Sequence, residues 1–187
     1  MTIVCKDHDQ EHDVTGVTVH AVDCDEASMI KARRHIATAE TEGRITAGQV
    51  VGHQCLAHEA NIPAGTVDMV MVWVALHDMH NPSHVLQTVR SMLRTDGCVL
   101  VLEFTNEDDF SSLVAGQDAA QQGLTKFCLS VSVLHCLPVA KALEPSQAIG
   151  TAFSLATMKS VAGRAGFNNV TVFKANDTMS MFILKMN

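Results

Sequence analysis

Polar side chains that can do chemistry follow an apolar stretch in the middle of the chain. Residues 67–72 read Val-Asp-Met-Val-Met-Val, and Leu76-His77-Asp78 comes a few positions later. The stretch carries β-branched and other apolar residues on both faces, which predicts a strand covered on both sides. Because ligands in open α/β sheets bind outside the carboxyl ends of the strands, we expect a site between Trp73 and Asp78.

The pair His77 and Asp78 suggests proton transfer. A neutral His77 can take a proton from a hydroxyl or amine nucleophile. The alternative is a structural histidine that is bonded to the next helix or loop, and the sequence leaves both open. His77, His80 and His84 also raise the question of a metal. Because Asn81-Pro82 breaks any continuous helix across these three, we predict no metal site there.

Two other groups of potential metal ligands need consideration. Residues 6–13 hold His8 and His12 among four acidic side chains. This composition is compatible with a metal, but no second ligand cluster is evident, so we favour a solvated loop. The six cysteines include no Cys-x-x-Cys pair and show no zinc-site spacing. Several lie inside apolar runs, where a cysteine acts as a small hydrophobic residue.

The pattern of strands and helices predicts an α/β sandwich. Apolar alternation, helix caps and turn residues give the order β-α-β-β-α-β, then an insertion, then α-β-β. The predicted elements are strand 17–22, helix 28–42, a β region at 45–56, strand 67–72, a helix at 84–94 capped by Ser83, strand 98–104 after an Asp96-Gly97 turn, an insertion at about 105–151 that begins with a helix at 110–122, helix 154–165, and strands 170–174 and 180–186. The short connection between the last two strands predicts an antiparallel hairpin.

Composition limits the class of protein. The 187 residues suit one domain, and 47% hydrophobic with 18% charged residues can form a substantial core. The formal charge of -7 argues against nucleic acid or an anionic membrane as a partner. Reduced thiols, no visible secretory signal and no apolar run of about 20 residues predict a cytoplasmic protein.

Several motifs in this order resemble the class I S-adenosylmethionine-dependent methyltransferases. The closest resemblance is to a subgroup that usually carries an N-terminal winged-helix domain, and it covers about residues 17 to 187. The motifs are Asp23 through Ser28 to Ala32-Arg33, Leu76-His-Asp-Met79 followed by Pro82, Asp96-Gly97 before Val99-Leu-Val-Leu-Glu103, Ser130 to Val139 followed by Gly150-Thr151, and Ala165-Gly166-Phe167. The resemblance implies a Rossmann-like three-layer sandwich over residues 1–187 with a C-terminal antiparallel hairpin. It also implies methyl transfer from S-adenosylmethionine to a small-molecule acceptor.

The resemblance also implies a set of cofactor-binding residues. Asp23, at the end of the second strand, would bind both ribose hydroxyls, or it would merely cap the following turn. Cys24 follows it in the same site. Near the adenine, where the family often has an acidic residue, this chain offers Gln54 and Cys55. Trp73 would lie along the cofactor or belong to the core. The family's chemistry requires no base, so the catalytic assignment of His77 and Asp78 is a hypothesis.

The family's glycine-rich turn after the first strand is missing. Glycine is needed there because the backbone approaches the cofactor closely. Before Gly16 only Thr2-Ile-Val-Cys5 reads as a short strand. Either this segment substitutes for the first strand, or the remaining strands close up, or the chain is N-terminally truncated, which we favour. We therefore expect impaired cofactor binding and hold open a non-catalytic, partner-binding protein as the alternative function.

Overall fold

The computed structural model describes residues 2–6, 16–105, 119–151, 153–176 and 178–186. The strands are β1 Thr2–Lys6, β2 Val17–Asp23, β3 Val50–Gln54, β4 Val67–Trp73, β5 Leu93–Phe104, β6 Asn169–Lys174 and β7 Met179–Lys185. The α-helices are α1 Glu26–Thr41, α2 Pro82–Met92, α3 Ala119–Val131, α4 Leu137–Ala140 and α5 Leu155–Arg164, and a π-helical turn Ser132–Cys136 joins α3 to α4. Two 3-10 turns, Ala57–Glu59 and Leu76–Asp78, follow β3 and β4.

The strands form one seven-stranded sheet in the order β3-β2-β1-β4-β5-β7-β6. Strand β2 is parallel to β3, and β4 is parallel to β5. Strand β7 lies antiparallel between β5 and β6. The predicted Rossmann-like architecture and its C-terminal antiparallel hairpin are therefore confirmed. The carboxyl ends of β2, β3, β4 and β5 lie at one edge of the sheet.

Strand β1 takes the central place that the sequence left in doubt. It pairs with β2 from Thr2 opposite Ala21 to Lys6 opposite Val17, and with β4 from Thr2 opposite Met71. Both pairings are antiparallel. The chain therefore leaves β1 and enters β2 at the amino-terminal edge of the parallel strands. Lys6, the last residue of β1, and Val17, the first residue of β2, therefore both lie at the edge away from Asp23.

The core lies between the sheet and the helices α2 and α5. Val70, Val72, Val99 and Val101 of the central strands are fully buried, which explains their continuous apolar runs. Helix α2 buries a stripe at helical spacing, and α5 buries Met158, Val161 and Ala162 beside it. At about 1.5–3 kcal/mol for each fully buried large apolar side chain, these stripes dominate the attachment of both helices.

Some predicted boundaries were wrong for local reasons. Helix α2 begins at Pro82 rather than at residue 84, because the side chain of Asn81 accepts a hydrogen bond from the backbone N–H of His84 at 3.0 Å. The predicted cap, Ser83, is buried, and its hydroxyl contacts Gln147 and accepts from Arg164 Nε. Asp96-Gly97 lies within β5 instead of before it.

The insertion contains helices α3 and α4, and most of the predicted helix 110–122 lies outside the described residues. The β region predicted at 45–56 narrows to Val50–Gln54. Within the described residues, no helix has the length and apolar character needed to cross a membrane.

Candidate active site

A cavity of about 330 Å³ lies at the carboxyl edge of the sheet. Asp23 and Cys24 line it at the end of β2, Cys55 follows β3, and Asp78 comes from the turn after β4. Val139 of α4 and Leu143 belong to the insertion and form part of the wall. The cavity is within the size range of small-molecule sites, about 300–1,000 Å³, and is largely apolar, as such sites usually are. The sequence therefore predicted the correct edge of the sheet.

Asp23 is held in place by the loop that follows it. Its Oδ1 accepts the backbone N–H of Asp25 at 2.9 Å, and Asp25 in turn caps α1 by accepting from the N–H of Ser28 at 2.7 Å. Asp23 is exposed at the cavity wall. A carboxylate has about four lone-pair positions, so this single bond leaves capacity for a ligand.

His77 is buried between two carboxylates. Its Nδ1 lies 2.7 Å from Glu103 Oε2, and its backbone N–H donates to Glu103 Oε1 at 3.2 Å. Its Nε2 lies 3.1 Å from Asp78 Oδ1. Burial alone would lower the pKa of His77, but its close contacts with Asp78 and Glu103 and the charges of both carboxylates outweigh that cost and raise the pKa to about 9. His77 is therefore a protonated imidazolium at neutral pH, with both ring nitrogens engaged.

Asp78 connects this buried pair to the cavity. Burial alone would raise the pKa of Asp78, but the close contact with His77 and its charge lower it, so the carboxyl group is ionised. Cys136, buried at the end of the π-helical turn, also contacts the carboxylate. Burial and the Asp78 carboxylate raise the pKa of the Cys136 thiol to about 11. Glu103, His77, Asp78 and Cys136 thus contact one another in series, from the buried Glu103 to the cavity wall.

Two histidines of the cavity wall, His58 and His80, cluster with His84, and His58 is not among the histidines grouped by sequence. The ring of His58 lies 5.1 Å from that of His80 and 4.9 Å from that of His84, measured between centroids. Burial and these two neighbouring rings lower the pKa of His58. His77, which the sequence grouped with His80 and His84, instead points toward Glu103.

Not every predicted residue reaches the cavity. Asp23, Cys24, Cys55 and Asp78 line it, whereas Gln54 is exposed and its Oε1 lies 3.5 Å from Arg33 Nη1. Trp73 is 66% exposed, so the alternative that placed it in the core is wrong, and it does not line the cavity. His8 and His12 lie outside the described residues.

Glu103 and Cys136 were not assigned to the site from sequence. A signal existed for Glu103, because an acidic residue that ends an apolar strand faces the same edge as Asp23 and Asp78. No such signal existed for Cys136, since the fold of the insertion alone brings it next to Asp78.

The fold and this edge site define the class of protein. The sequence matches a family model described as a methyltransferase domain over residues 6–172, and the chain belongs to that family. No curated protein matches the sequence significantly. The match supports the sequence-based identification, which rested on separate short motifs.

Many solved structures share the fold. One titled as PigF with SAH is 14% identical, with a TM-score of 0.61 over 93% of this chain and 50% of that chain. A putative O-methyltransferase from Nostoc punctiforme is 19% identical, with a TM-score of 0.58 over 88% and 43%. Human N-acetylserotonin methyltransferase, solved with SAM, is 16% identical, with a TM-score of 0.56 over 90% and 40%. The chain thus spans half or less of the length of these three proteins.

Proposed function

We propose that the chain binds S-adenosylmethionine in the 330 Å³ cavity and transfers its methyl group to a small molecule. One observation carries the proposal: the cavity has Asp23 and Cys55 on its wall together with Asp78 from the turn after β4. These positions follow three parallel strands, which is where cofactors bind in α/β folds. Membership of the methyltransferase domain family supports the same activity.

The residues present suit the adenosine half of the cofactor. The Asp23 carboxylate has lone pairs left to accept hydrogen bonds from both ribose hydroxyls. A carboxylate that accepts two hydrogen bonds from a diol recognises it strongly. Cys24, Cys55 and the apolar wall suit a purine ring. The described residues offer no glycine-rich turn for the methionine half, because β1 runs antiparallel and its connection to β2 begins at the opposite edge. The cofactor, when bound, supplies a methyl group that its sulfonium already activates.

We assign Asp78 a contact with the acceptor and His77 a positioning role. Asp78 lines the cavity, whereas His77 is only 3% exposed. As an imidazolium, His77 cannot take a proton, but it keeps Asp78 ionised and fixed. Asp78 then accepts a hydrogen bond from the hydroxyl or amine of the acceptor and orients it. This arrangement is sufficient because alignment alone contributes strongly to methyl transfer.

Isothermal titration calorimetry with SAH, the demethylated product, tests the binding half of the proposal. The unmodified chain should bind one equivalent, and Asp23→Ala should bind about 10- to 100-fold more weakly, because a hydrogen bond to a charged group contributes about 1.5–3 kcal/mol. Glu26→Ala, an acidic residue on the first turn of α1, is the matched control and should bind as the unmodified chain does. Equal affinity for Asp23→Ala, or no heat at millimolar SAH, would contradict the proposal.

A second candidate is a non-catalytic, adenosine-binding member of the family. The antiparallel direction of β1 favours it, because the described residues give the methionine half no backbone cradle at that edge. Competition titrations separate the two. If adenosine displaces SAH as well as S-adenosylmethionine does, and no methyl transfer is found across acceptor panels, the non-catalytic function stands. If S-adenosylmethionine binds at least about tenfold more tightly than adenosine, the methionine half is recognised and the transferase function is supported.

A further inference from the structure

Three side chains of different chemistry converge behind the cavity wall. Ligand atoms of His77, Asp78 and Cys136 (a ring nitrogen, a carboxylate oxygen and the sulfur) all lie within 4.8 Å of one another. His77 and Cys136 are buried, and Asp78 is partly buried. We propose that these three residues form a binding site for a Zn²⁺ ion.

The ligand set matches this ion. Zn²⁺ is borderline soft and accepts cysteine sulfur, histidine nitrogen and carboxylate oxygen at about 2.3, 2.0–2.1 and 2.0–2.2 Å. Two such ligands on a tetrahedral ion are therefore about 3.3–3.8 Å apart. His77 Nε2 and Asp78 Oδ1, at 3.1 Å, are already near that separation. A small inward movement of the Cys136 sulfur completes a three-ligand face.

Glu103 holds the histidine in the orientation that a metal requires. Histidines that bind a metal usually give their other ring N–H to a carboxylate, which fixes the ring and its tautomer. Glu103, with no exposed surface, receives both Nδ1–H and the backbone N–H of His77. Nε2 is thereby directed at Asp78.

An oxygen of Asp78 provides independent support. Asp78 Oδ1 is buried, and no hydrogen bond to it meets acceptable geometry within the described part of the chain. Its 3.1 Å contact with His77 Nε2 is an ion pair. Buried carboxylate oxygens rarely stay without a hydrogen bond, and one that does suggests an ion. Zn²⁺ would satisfy it and release the thiol proton of Cys136 and the Nε2 proton of His77 to solvent.

The site goes beyond the proposed function and does not depend on it. Three protein ligands leave a fourth coordination position, which is the arrangement of zinc sites that bind water or substrate. Asp78 belongs to both the site and the cavity wall. An ion there would lie at the border of the cavity, whether or not S-adenosylmethionine binds.

Metal titration of the EDTA-treated and dialysed full chain tests the proposal. Zn²⁺ should bind with one-to-one stoichiometry in calorimetry without any cofactor. Co²⁺ in its place should give a thiolate-to-metal charge-transfer band. Cys136→Ser should abolish that band and weaken Zn²⁺ binding at least about tenfold. Glu103→Gln should weaken it about 10- to 100-fold while keeping the band, as loss of an outer-sphere partner does.

Cys128→Ser is the matched control, because Cys128 is a partly buried thiol two helical turns earlier in α3. It should leave both the band and the affinity unchanged. The double variant His8→Ala/His12→Ala removes competing N-terminal ligands and should also bind one ion. If Cys136→Ser does not fold, alkylation of the unmodified chain decides: Zn²⁺ should slow labelling of Cys136 and leave that of Cys24 unchanged. No binding at millimolar Zn²⁺, a band that survives in Cys136→Ser, or no protection of Cys136 would overturn the site.

Discussion

At the scale of single residues, Glu103 stabilises the folded protein through its buried contacts with His77. Breaking a buried ion pair leaves an uncompensated charge and costs about 3–5 kcal/mol. We therefore expect Glu103→Ala to lower the free energy of unfolding by about that amount. Glu42→Ala is the control, because Glu42 pairs with Arg44 on an exposed surface and should cost below about 1 kcal/mol. Urea unfolding measures both, and similar losses in the two variants would refute the prediction.

The protonation of His77 gives the metal-free chain a distinct pH dependence. Its pKa rises from 6.5 in the unfolded chain to about 9 in the folded one. The folded state therefore holds the proton more tightly, and this stabilisation is fully present below pH 6.5. It is lost as pH rises through about 9. Urea unfolding in EDTA should show the free energy of unfolding falling across this window in the unmodified chain and little slope in His77→Gln.

Among the described residues, the other histidines with shifted pKa values, and Cys136, act outside that window. The pKa values of His20 and His58 are lowered, so they affect stability below pH 6.5, and the pKa of Cys136 is raised from 9.0, so it acts at higher pH. An identical slope in His77→Gln and in the unmodified chain would therefore show that His77 is not the group responsible.

The sequence located single residues well where local rules apply. Asp23 and Asp78 line the cavity, at the edge where polar residues after apolar strands led us to expect a site. Cys136 and His58 were missed, because their neighbours come from distant parts of the chain. The protonation state of His77 also depended on Glu103, 26 positions away.

At the scale of elements, the insertion is attached to the site through Gly150. Its backbone N–H donates to the carbonyl of His77 at 3.3 Å, its φ is +61°, and a Cβ there would meet Ser132 Oγ. Gly150→Ala should therefore destabilise the protein by about 1–3 kcal/mol through strain and overpacking. It should also weaken SAH binding, because Val139 and Leu143 of the same insertion line the cavity.

Gly163→Ala is the control for that substitution. Gly163 lies inside α5, and a methyl group added there would meet no atom within 4 Å outside the helix's own backbone. Alanine should therefore stabilise the helix by about 0.5–1 kcal/mol. The midpoint temperature of thermal unfolding should therefore fall for Gly150→Ala and rise for Gly163→Ala. A loss of stability in both, or in neither, would contradict the predicted role of Gly150.

Element boundaries followed from sequence only where one signal dominated. The predicted start of α5 at residue 154 agrees with the structure to within one residue, because the hydroxyl of Ser154 caps the helix by accepting from the N–H of Thr157 at 3.1 Å. At α2 two polar residues competed, and Asn81 took the cap while Ser83 was drawn into contacts with Gln147 and Arg164. Local sequence patterns cannot predict which of two polar residues caps a helix when one of them makes tertiary contacts.

At the scale of the whole molecule, β1 completes the sheet. As a central strand it should protect its backbone amides from hydrogen exchange nearly as well as β4 does. Val4→Pro should destabilise the protein by at least about 2 kcal/mol, because proline interrupts the ladder of a central strand. Exchange mass spectrometry over residues 2–6 tests this. Rapid exchange there, with β4 protected, would show that β1 does not occupy the centre of the sheet.

The parallel direction of β2 to β5 was predictable, whereas the direction of β1 was not. Alternating strands and helices fix a parallel sheet, because each crossover returns the chain to the same edge. Strand β1 has no such crossover, so its direction depends on pairing with both β2 and β4. Its antiparallel course places Lys6 and Val17 at the opposite edge, so the described residues put Asp23 at the cavity without a glycine-rich turn beside it.

The most direct measurement is a structure of the chain soaked with SAH. The proposed function predicts the adenosine inside the 330 Å³ cavity, with both ribose hydroxyls at hydrogen-bond distance, about 2.7–3.0 Å, from the carboxylate of Asp23. Adenosine bound elsewhere, or bound in the cavity with no contact to Asp23, would contradict it.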